Sequence, residues 1–137
     1  MTHSSRIDCE MRSVMPATLE AIEGFLAELH LRCGAMHDWV NCFTTELLVR
    51  EALTNAVMHG CGADPARQVQ CVLRLRDRGL LIAVMDEGEG FDWRAAFDRE
   101  GEDFECSGRG ISILRAYADR VRYNNKGNAV TIFKRFR

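Results

Sequence analysis

The sequence predicts one α+β domain, a two-layer α/β sandwich whose mixed, mostly antiparallel sheet is covered by helices on one face. Three observations predict it. Two apolar patterns of helical spacing come first, between Pro16 and Gly60. The apolar period then changes to two after Pro65. Short turns join the strand-like runs that follow, as in hairpins packed under helices. At 137 residues the chain has the size of a single unit, taken as residues 1–137.

Residues 6–14 alternate loosely and fit a first strand. Pro16 sits where a helix can begin. Leu19, Ile22, Phe25, Leu26 and Leu29 follow at helical spacing, with Gly34 as the stop. Residues 38–59 make a longer helical pattern that ends at Gly60 and Gly62. Val69, Cys71, Leu73 and Leu75 then alternate with Gln68, Gln70, Arg74 and Arg76, a strand with one buried face. Asp77-Arg78-Gly79 suits a hairpin turn, and the apolar run Leu80 to Met85 suits a central strand. The acidic stretch from 92 to 107 has no period and reads as a loop or lid, with a short helical turn near Ala95–Phe97. A helix is expected over 109–118, then strands over 119–125 and 129–136 about a turn at Lys126-Gly127-Asn128. Lys134 and Arg135 in the terminal FKRFR read as charges that protect a strand edge.

Composition excludes several classes. Hydrophobic residues are 47% and charged residues 28%, an ordinary globular balance. A net charge of −2 gives no broad attraction to nucleic acid or to anionic membranes. No run approaches the ~20 apolar residues of a membrane span. The start MTHSSRIDCEMR lacks the apolar centre of a signal peptide, so a cytoplasmic protein is expected. The six cysteines contain no CxxC pair and read as reduced thiols, with Cys33 and Cys71 in the core.

Three segments carry candidate chemistry. On a wheel of ~100° per residue, Val40, Thr44, Leu47 and Met58 fall within ~40° of Glu51, with Leu48 and Asn55 beside them. This puts a carboxylate in the middle of an apolar stripe and an amide one turn later. A buried charge needs a partner. Either Glu51 pairs with a basic residue inside the fold, or it faces a cleft as a general base while Asn55 holds a metal. In DEGEGFD, residues 86–92, Asp86 ends the central strand and can accept a bond from a ligand amine. Gly88 and Gly90 allow close backbone approach there. Taken alone, that segment reads equally well as a tight turn. In SGRGISIL, residues 107–114, Gly108 and Gly110 precede a helix whose free N–H groups suit an anion, and Arg109 adds a charge. By itself this is also an ordinary cap. Neither glycine run matches a Walker loop or a dinucleotide fingerprint.

Taken together, EALTNAVMHG (51–60), DEGEGFD and SGRGISIL resemble, in order and distance, the N, G1 and G2 boxes of the GHKL ATPase superfamily, which has the Bergerat fold. Within it the chain is similar to bacterial anti-sigma factor serine/threonine kinases, through TNAVMHG, the short lid and the terminal VTIFKR strand. The resemblance implies that Glu51 is the general base, that Asn55 ligates Mg²⁺ and that Asp86 recognises the adenine amine. Gly88 and Gly90 shape the adenine pocket, and Gly108, Arg109 and Gly110 close over the phosphates of ATP. His59 reads mainly as local structure, with contact to phosphate as the alternative. Many such kinases carry a threonine in the last strand that fixes the adenine-binding Asp. Here the position is Ala129, and Thr131, on the same strand face, is the expected substitute. The implied partners are a STAS-domain anti-anti-sigma protein, a sigma factor and a second copy of the chain as a homodimer. The alternative is an ATP-binding regulatory module with little or no kinase activity, acting on a non-sigma partner. A sensor histidine kinase core is disfavoured. About fifteen residues precede the first helix, and His30 and His37 lack a phosphoacceptor context.

Overall fold

The computed structural model describes residues 7–35, 38–76, 78–88 and 113–136. The elements are β1 (Ile7–Pro16), α1 (Leu19–Gly34), α2 (Trp39–Asn55), β2 (Gln68–Arg76), β3 (Gly79–Asp86), β4 (Arg120–Tyr123) and β5 (Ala129–Arg135). The strands form one sheet in the order β1-β2-β3-β5-β4. Each pairing is antiparallel, so the sheet expected to be mixed contains only antiparallel pairs among the described residues.

Strand alternation decides which face is buried. Cys71 lies opposite Val84, Leu73 opposite Ile82, and Ile82 opposite Ile132. All of these side chains are buried. Met11 and Met15 extend that layer onto β1. Ile22, Phe25, Leu26, Leu29 and Cys33 of α1 cover it together with Leu48, Val49, Ala52 and Leu53 of α2. Burying a Leu or Ile fully stabilises by about 1.5–3 kcal/mol, so this layer dominates folding. Val14, Met85 and Phe133 stand on the opposite, exposed face.

Helix starts follow capping chemistry. Pro16 belongs to β1 and does not open α1. Ala17 N–H donates to Arg67 O (3.0 Å), which holds the chain extended, and Thr18 caps the helix by accepting from Ala21 N–H at 3.1 Å. Asp38 caps α2 by accepting from Asn41 N–H at 2.9 Å. Beyond Asn55 the helix widens into a π turn, Ala56–Gly60. Its end is marked by Cys61 N–H donating to Ala56 O at 2.9 Å and Ala63 N–H to Val57 O at 2.7 Å. Such turns recur at functional sites.

Residues 113–117 are helical, with Leu114 buried, within the helix expected over 109–118. The lid segment lies outside the described residues. The cysteines at 9, 33, 42, 61 and 71 are free thiols. Burial pushes the Cys71 and Cys33 thiols up to about 12, so they behave as inert core residues. No helix among the described residues is long and apolar enough to cross a membrane.

Candidate functional site

A recess opens between the last turn of α2, the end of β3 and the turn that joins β4 to β5. Ala52, Asn55 and Ala56 line one side, Val84 and Asp86 the floor, and Tyr123, Gly127 and Asn128 the other side.

Two glycines allow these elements to meet. A Cβ on Gly60 would fall 2.6 Å from Asp86 Oδ1, and one on Gly88 would overlap the Gly60 carbonyl oxygen. The glycine ending EALTNAVMHG and the first glycine of DEGEGFD are therefore packed against each other with Asp86 beside them. Larger residues would push α2 off the strand end.

Asp86 is fixed from two directions. Its N–H donates to Asn128 O at 2.9 Å, and its Oδ1 accepts from Gly88 N–H at 2.7 Å. Burial raises its carboxyl pKa, an effect opposed by the Gly88 N–H and then by the charges of Arg67 and Lys126. A carboxylate held at a strand end with acceptor capacity left suits a ligand amine.

The far side is organised by Asn124. Its Oδ1 accepts from the N–H groups of Gly127 (2.8 Å), Asn128 (3.0 Å) and Ala129 (3.2 Å). Its Nδ2 donates to Asn128 Oδ1 at 2.7 Å. Gly127 takes φ of 83°, a left-handed angle that suits glycine. The side chain of Asn128 in turn reaches Asp86 O at 3.5 Å.

Asn55 lies beside the Tyr123 phenol, whose pKa is raised by burial and lowered again by Asn55. The Asn55 Nδ2 is buried and has no hydrogen-bond partner among the described residues. An unpaired buried donor costs about 1–3 kcal/mol unless a group beyond the described residues satisfies it.

Glu51 is half-buried one turn before Asn55 and is not among the residues that line the recess. Burial raises its carboxyl pKa, with only the nearby Arg50 charge opposing. The internal ion pair weighed for it is not formed among the described residues. Arg50 instead bonds Glu23 at 2.5 Å. The wheel placed Glu51 at the centre of the apolar stripe, and the structure moves it to the border. The buried face of α2 runs through Thr45, Leu48, Val49, Ala52 and Leu53, while Val40 and Met58 are 52% and 43% exposed. The helix carries apolar residues around more of its circumference than the sheet covers, so the wheel averaged two faces into one.

Thr131 does not substitute for the expected threonine. Val130 and Ile132 are buried toward the helices, which turns Thr131 to the exposed sheet face. Ala129 borders the recess without a polar side-chain atom. Asn128, one residue earlier, is the group beside Asp86. Asn128, Tyr123 and Asn124 were missed in the sequence reading. The asparagine-rich run NNKGN was the available signal, since Asn side chains bond their own turn backbone. His59 is exposed. Gly90, Gly108, Arg109 and Gly110 lie outside the described residues. No cluster of three His, Cys, Asp or Glu side chains suited to a metal occurs among the described ones.

Comparison with known proteins gives the family and the fold. A family profile described as a histidine kinase-like ATPase domain matches residues 13–134. The anti-sigma F factor of Shouchella clausii is 33% identical over 79 residues, 55% of this chain and 54% of that protein. The anti-sigma F factor of Clostridium acetobutylicum is 31% identical over 98 residues, 66% of this chain and 68% of its own length. The serine-protein kinase RsbW of Staphylococcus epidermidis is 28% identical across 91% of this chain and 84% of its own length. The match thus spans about half the length of the first relative and about two thirds of the second. A solved structure of the RsbU and RsbW domains of a Mycobacterium tuberculosis protein superposes with a TM-score of 0.60 at 19% identity. It covers 94% of this chain and 32% of the other, a likeness of fold.

Proposed function

The chain belongs to the histidine kinase-like ATPase domain family, and on that premise we propose that it is an ATP-dependent anti-sigma factor serine/threonine kinase. Its substrate in this reading is a STAS-type anti-anti-sigma protein. Partner switching follows: the unphosphorylated STAS protein holds the kinase away from its sigma factor, and phosphorylation ends that hold. The protein acts in the cytoplasm as a homodimer.

One observation carries the reading. The recess presents a fixed acceptor, Asp86, together with a buried amide, Asn55, whose donor lies beside the Tyr123 phenol and meets no well-formed hydrogen bond among the described residues. A purine amine and a metal–phosphate group supply what these two lack. Asp86 accepts from the adenine amine, and the glycines at 88 and 90 admit the ring. Asn55 is the residue that would hold Mg²⁺, and its side-chain N–H would find an acceptor on a phosphate. Such a site fits Mg²⁺, which uses few protein ligands beside phosphates. When bound, the ion neutralises charge on the phosphates. Gly108, Arg109 and Gly110, outside the described residues, are the candidates for the triphosphate contacts that the family resemblance implies.

Glu51 is the base. It takes the proton of a partner serine or threonine hydroxyl as that oxygen bonds the γ-phosphorus. The bond to the bridging oxygen breaks, and ADP leaves with the electron pair. Partial burial raises the affinity of Glu51 for that proton.

Incubation with γ-labelled ATP, Mg²⁺ and a STAS protein tests the proposal. Label on a serine or threonine of that protein, lost in Glu51→Gln, is the expected result. Bound ATP without transfer would instead favour the regulatory module. The position of Glu51 outside the recess lining is the observation on that side.

A further inference from the structure

β3 has the sequence of a strand covered on both faces. Leu80 to Met85 is apolar throughout, the pattern of a strand between two layers. α1 and α2 cover one face, where Leu80, Ile82 and Val84 are buried. Leu81, Ala83 and Met85 point to the other face, and Met85 is 48% exposed.

Register extends this strip across the sheet. Val72 lies opposite Ala83, and Leu81 lies opposite Phe133, which is 39% exposed. Arginines border the strip on both sides. Arg74 sits opposite Leu81, and Arg12 opposite Val72. Arg120 sits opposite Phe133, and Arg122 opposite Thr131. Arg76 and Arg135 flank Gly79 at one end. Against these six arginines, Glu10 is the one carboxylate among the described strand residues of this face. The whole chain has a net charge of −2, so the face gathers positive charge that composition hides.

Two of the six are engaged with Glu10: Arg12 at 2.6 Å and Arg74 at 3.3 Å. Arg120, Arg122 and Arg135 form no ion pair among the described residues. The terminal FKRFR reads in sequence as edge protection. β5 lies inside the sheet, between β3 and β4, so Arg135 guards no edge and stands at the border of the strip. A groove bordered by Leu81, Arg120, Arg122, Thr131 and Phe133 runs along that border.

We propose that this open face docks an acidic, amphipathic α-helix of a partner protein. The helix lies along β3 and β5, with apolar side chains on Leu81, Ala83 and Phe133 and carboxylates toward the arginines. Dimensions fit. β2 and β4 are three strand spacings apart, about 14 Å, and a helix with its side chains is about 10–12 Å wide. The strip from Leu81 to Met85 is about 13 Å long, which two to three helical turns cover through residues at i, i+3 or i+4, and i+7. Charge complementarity selects an acidic occupant. Single-stranded nucleic acid is acidic too, but it stacks its bases on aromatic platforms. Phe133 is the one aromatic side chain among the described residues of this face. The recess opens on the helical side of the sheet, so the docked helix leaves it open. The proposal goes beyond the kinase reading and does not depend on it.

A fluorescein-labelled peptide of about 18 residues, five turns of helix, is the probe. Leucines at i, i+3, i+4 and i+7 spacing form one stripe, and glutamates flank it. Its control has the same composition in an order that breaks the stripe. Fluorescence anisotropy with the full chain should show saturable binding of the striped peptide that weakens as salt is raised. Amide signals of Leu81, Ala83, Thr131 and Phe133 in ¹⁵N-labelled protein should shift with it. The double change Arg120→Glu and Arg122→Glu should weaken binding about tenfold or more, and so should Phe133→Ser alone. Far-ultraviolet dichroism and Mg·ATP affinity should match the parent in both variants. Absence of binding overturns the proposal, as does equal binding of the control peptide, which would reduce the face to its charge. An oligothymidylate that displaces the striped peptide from these residues would assign the face to nucleic acid. Shifts of the same amides with protein concentration alone would assign it to a second copy. Either result overturns the partner helix. Loss of phosphoryl transfer or of nucleotide binding would overturn the kinase reading and leave this one standing.

Discussion

The two helices lie side by side over one sheet and differ in how their polar groups are satisfied. Each polar side chain of α1 described in a side-chain pair finds its partner at the surface. Glu28 pairs with Arg32 at 2.7 Å, Glu23 with Arg50 at 2.5 Å and His30 with Glu46 at 2.7 Å. Its apolar stripe from Ile22 to Cys33 is buried. On α2 the half-buried Glu51 has no ion pair among the described residues, and the buried Asn55 Nδ2 lacks a partner. α1 has its described polar groups paired, whereas among the described residues the last turns of α2 leave a buried donor and a half-buried carboxylate without a formed pair. Surface pairs of the α1 kind sit in solvent and add little, so α1 contributes through packing, and the proposed chemistry falls on α2.

If that contrast is right, substitutions on α2 change function and those on α1 change stability. The largest effect should be Glu51→Gln, lowering phosphoryl transfer about 10²–10⁴-fold with Mg·ATP affinity nearly unchanged. A single-turnover assay beside calorimetric titration reads both. Next is Leu29→Ala on α1, where a fully buried side chain is cut back. It should lose about 2–5 kcal/mol in urea unfolding. The folded fraction should bind nucleotide as the parent does, and a large affinity loss there would blur the division between the helices. Asn55→Ala should weaken Mg·ATP binding about 10–100-fold while nucleotide binding without Mg²⁺ changes less.

The smallest effect is on stability against pH. Burial raises the Glu51 and Asp86 carboxyls, so the folded state holds those protons more tightly than the unfolded chain. Their contribution to stability is therefore fully present below the ordinary carboxylate value, about 4.3 for Glu. It is lost as pH rises through the higher folded values. Glu51→Gln removes one of the two, and near neutral pH the ligand-free variant should melt up to a few °C higher than the parent. A variant less stable than the parent at neutral pH would indicate a favourable partner for Glu51 and weaken the comparison.

Much of this was legible in the residues. Alternation in Gln68–Arg76 and the apolar run Leu80–Met85 placed two central strands, because only strand geometry sorts those side chains onto two faces. The stripe of α1 was equally plain, with one buried face and one solvated. The sequence misled where local rules met tertiary contacts. Pro16 was free to open a helix, but a bond from the next residue to Arg67 kept the chain extended. The wheel for α2 could not show which half of a broadly apolar helix the sheet would cover. Asp86 and Gly88 were found as a motif. Their lock against Gly60 depends on a contact between segments far apart in sequence, which no spacing encodes. Asn128 is not legible in the same way, because the expected hydroxyl points to Thr131 in the strand, whereas the group beside Asp86 comes from the turn before it.

The recess bordered by Asn55, Asp86 and Asn128 is the proposed site of the adenine nucleotide. Titration of ¹⁵N-labelled protein with Mg·ATP, followed by NMR, tests it directly. The side-chain amides of Asn55 and Asn128 and the backbone amide of Gly88 should shift strongly and saturate together. Resonances of the exposed sheet face around Val14 and Phe133 should stay in place. Saturable binding that moves the sheet face and leaves the Asn55 and Gly88 signals unchanged would contradict the account.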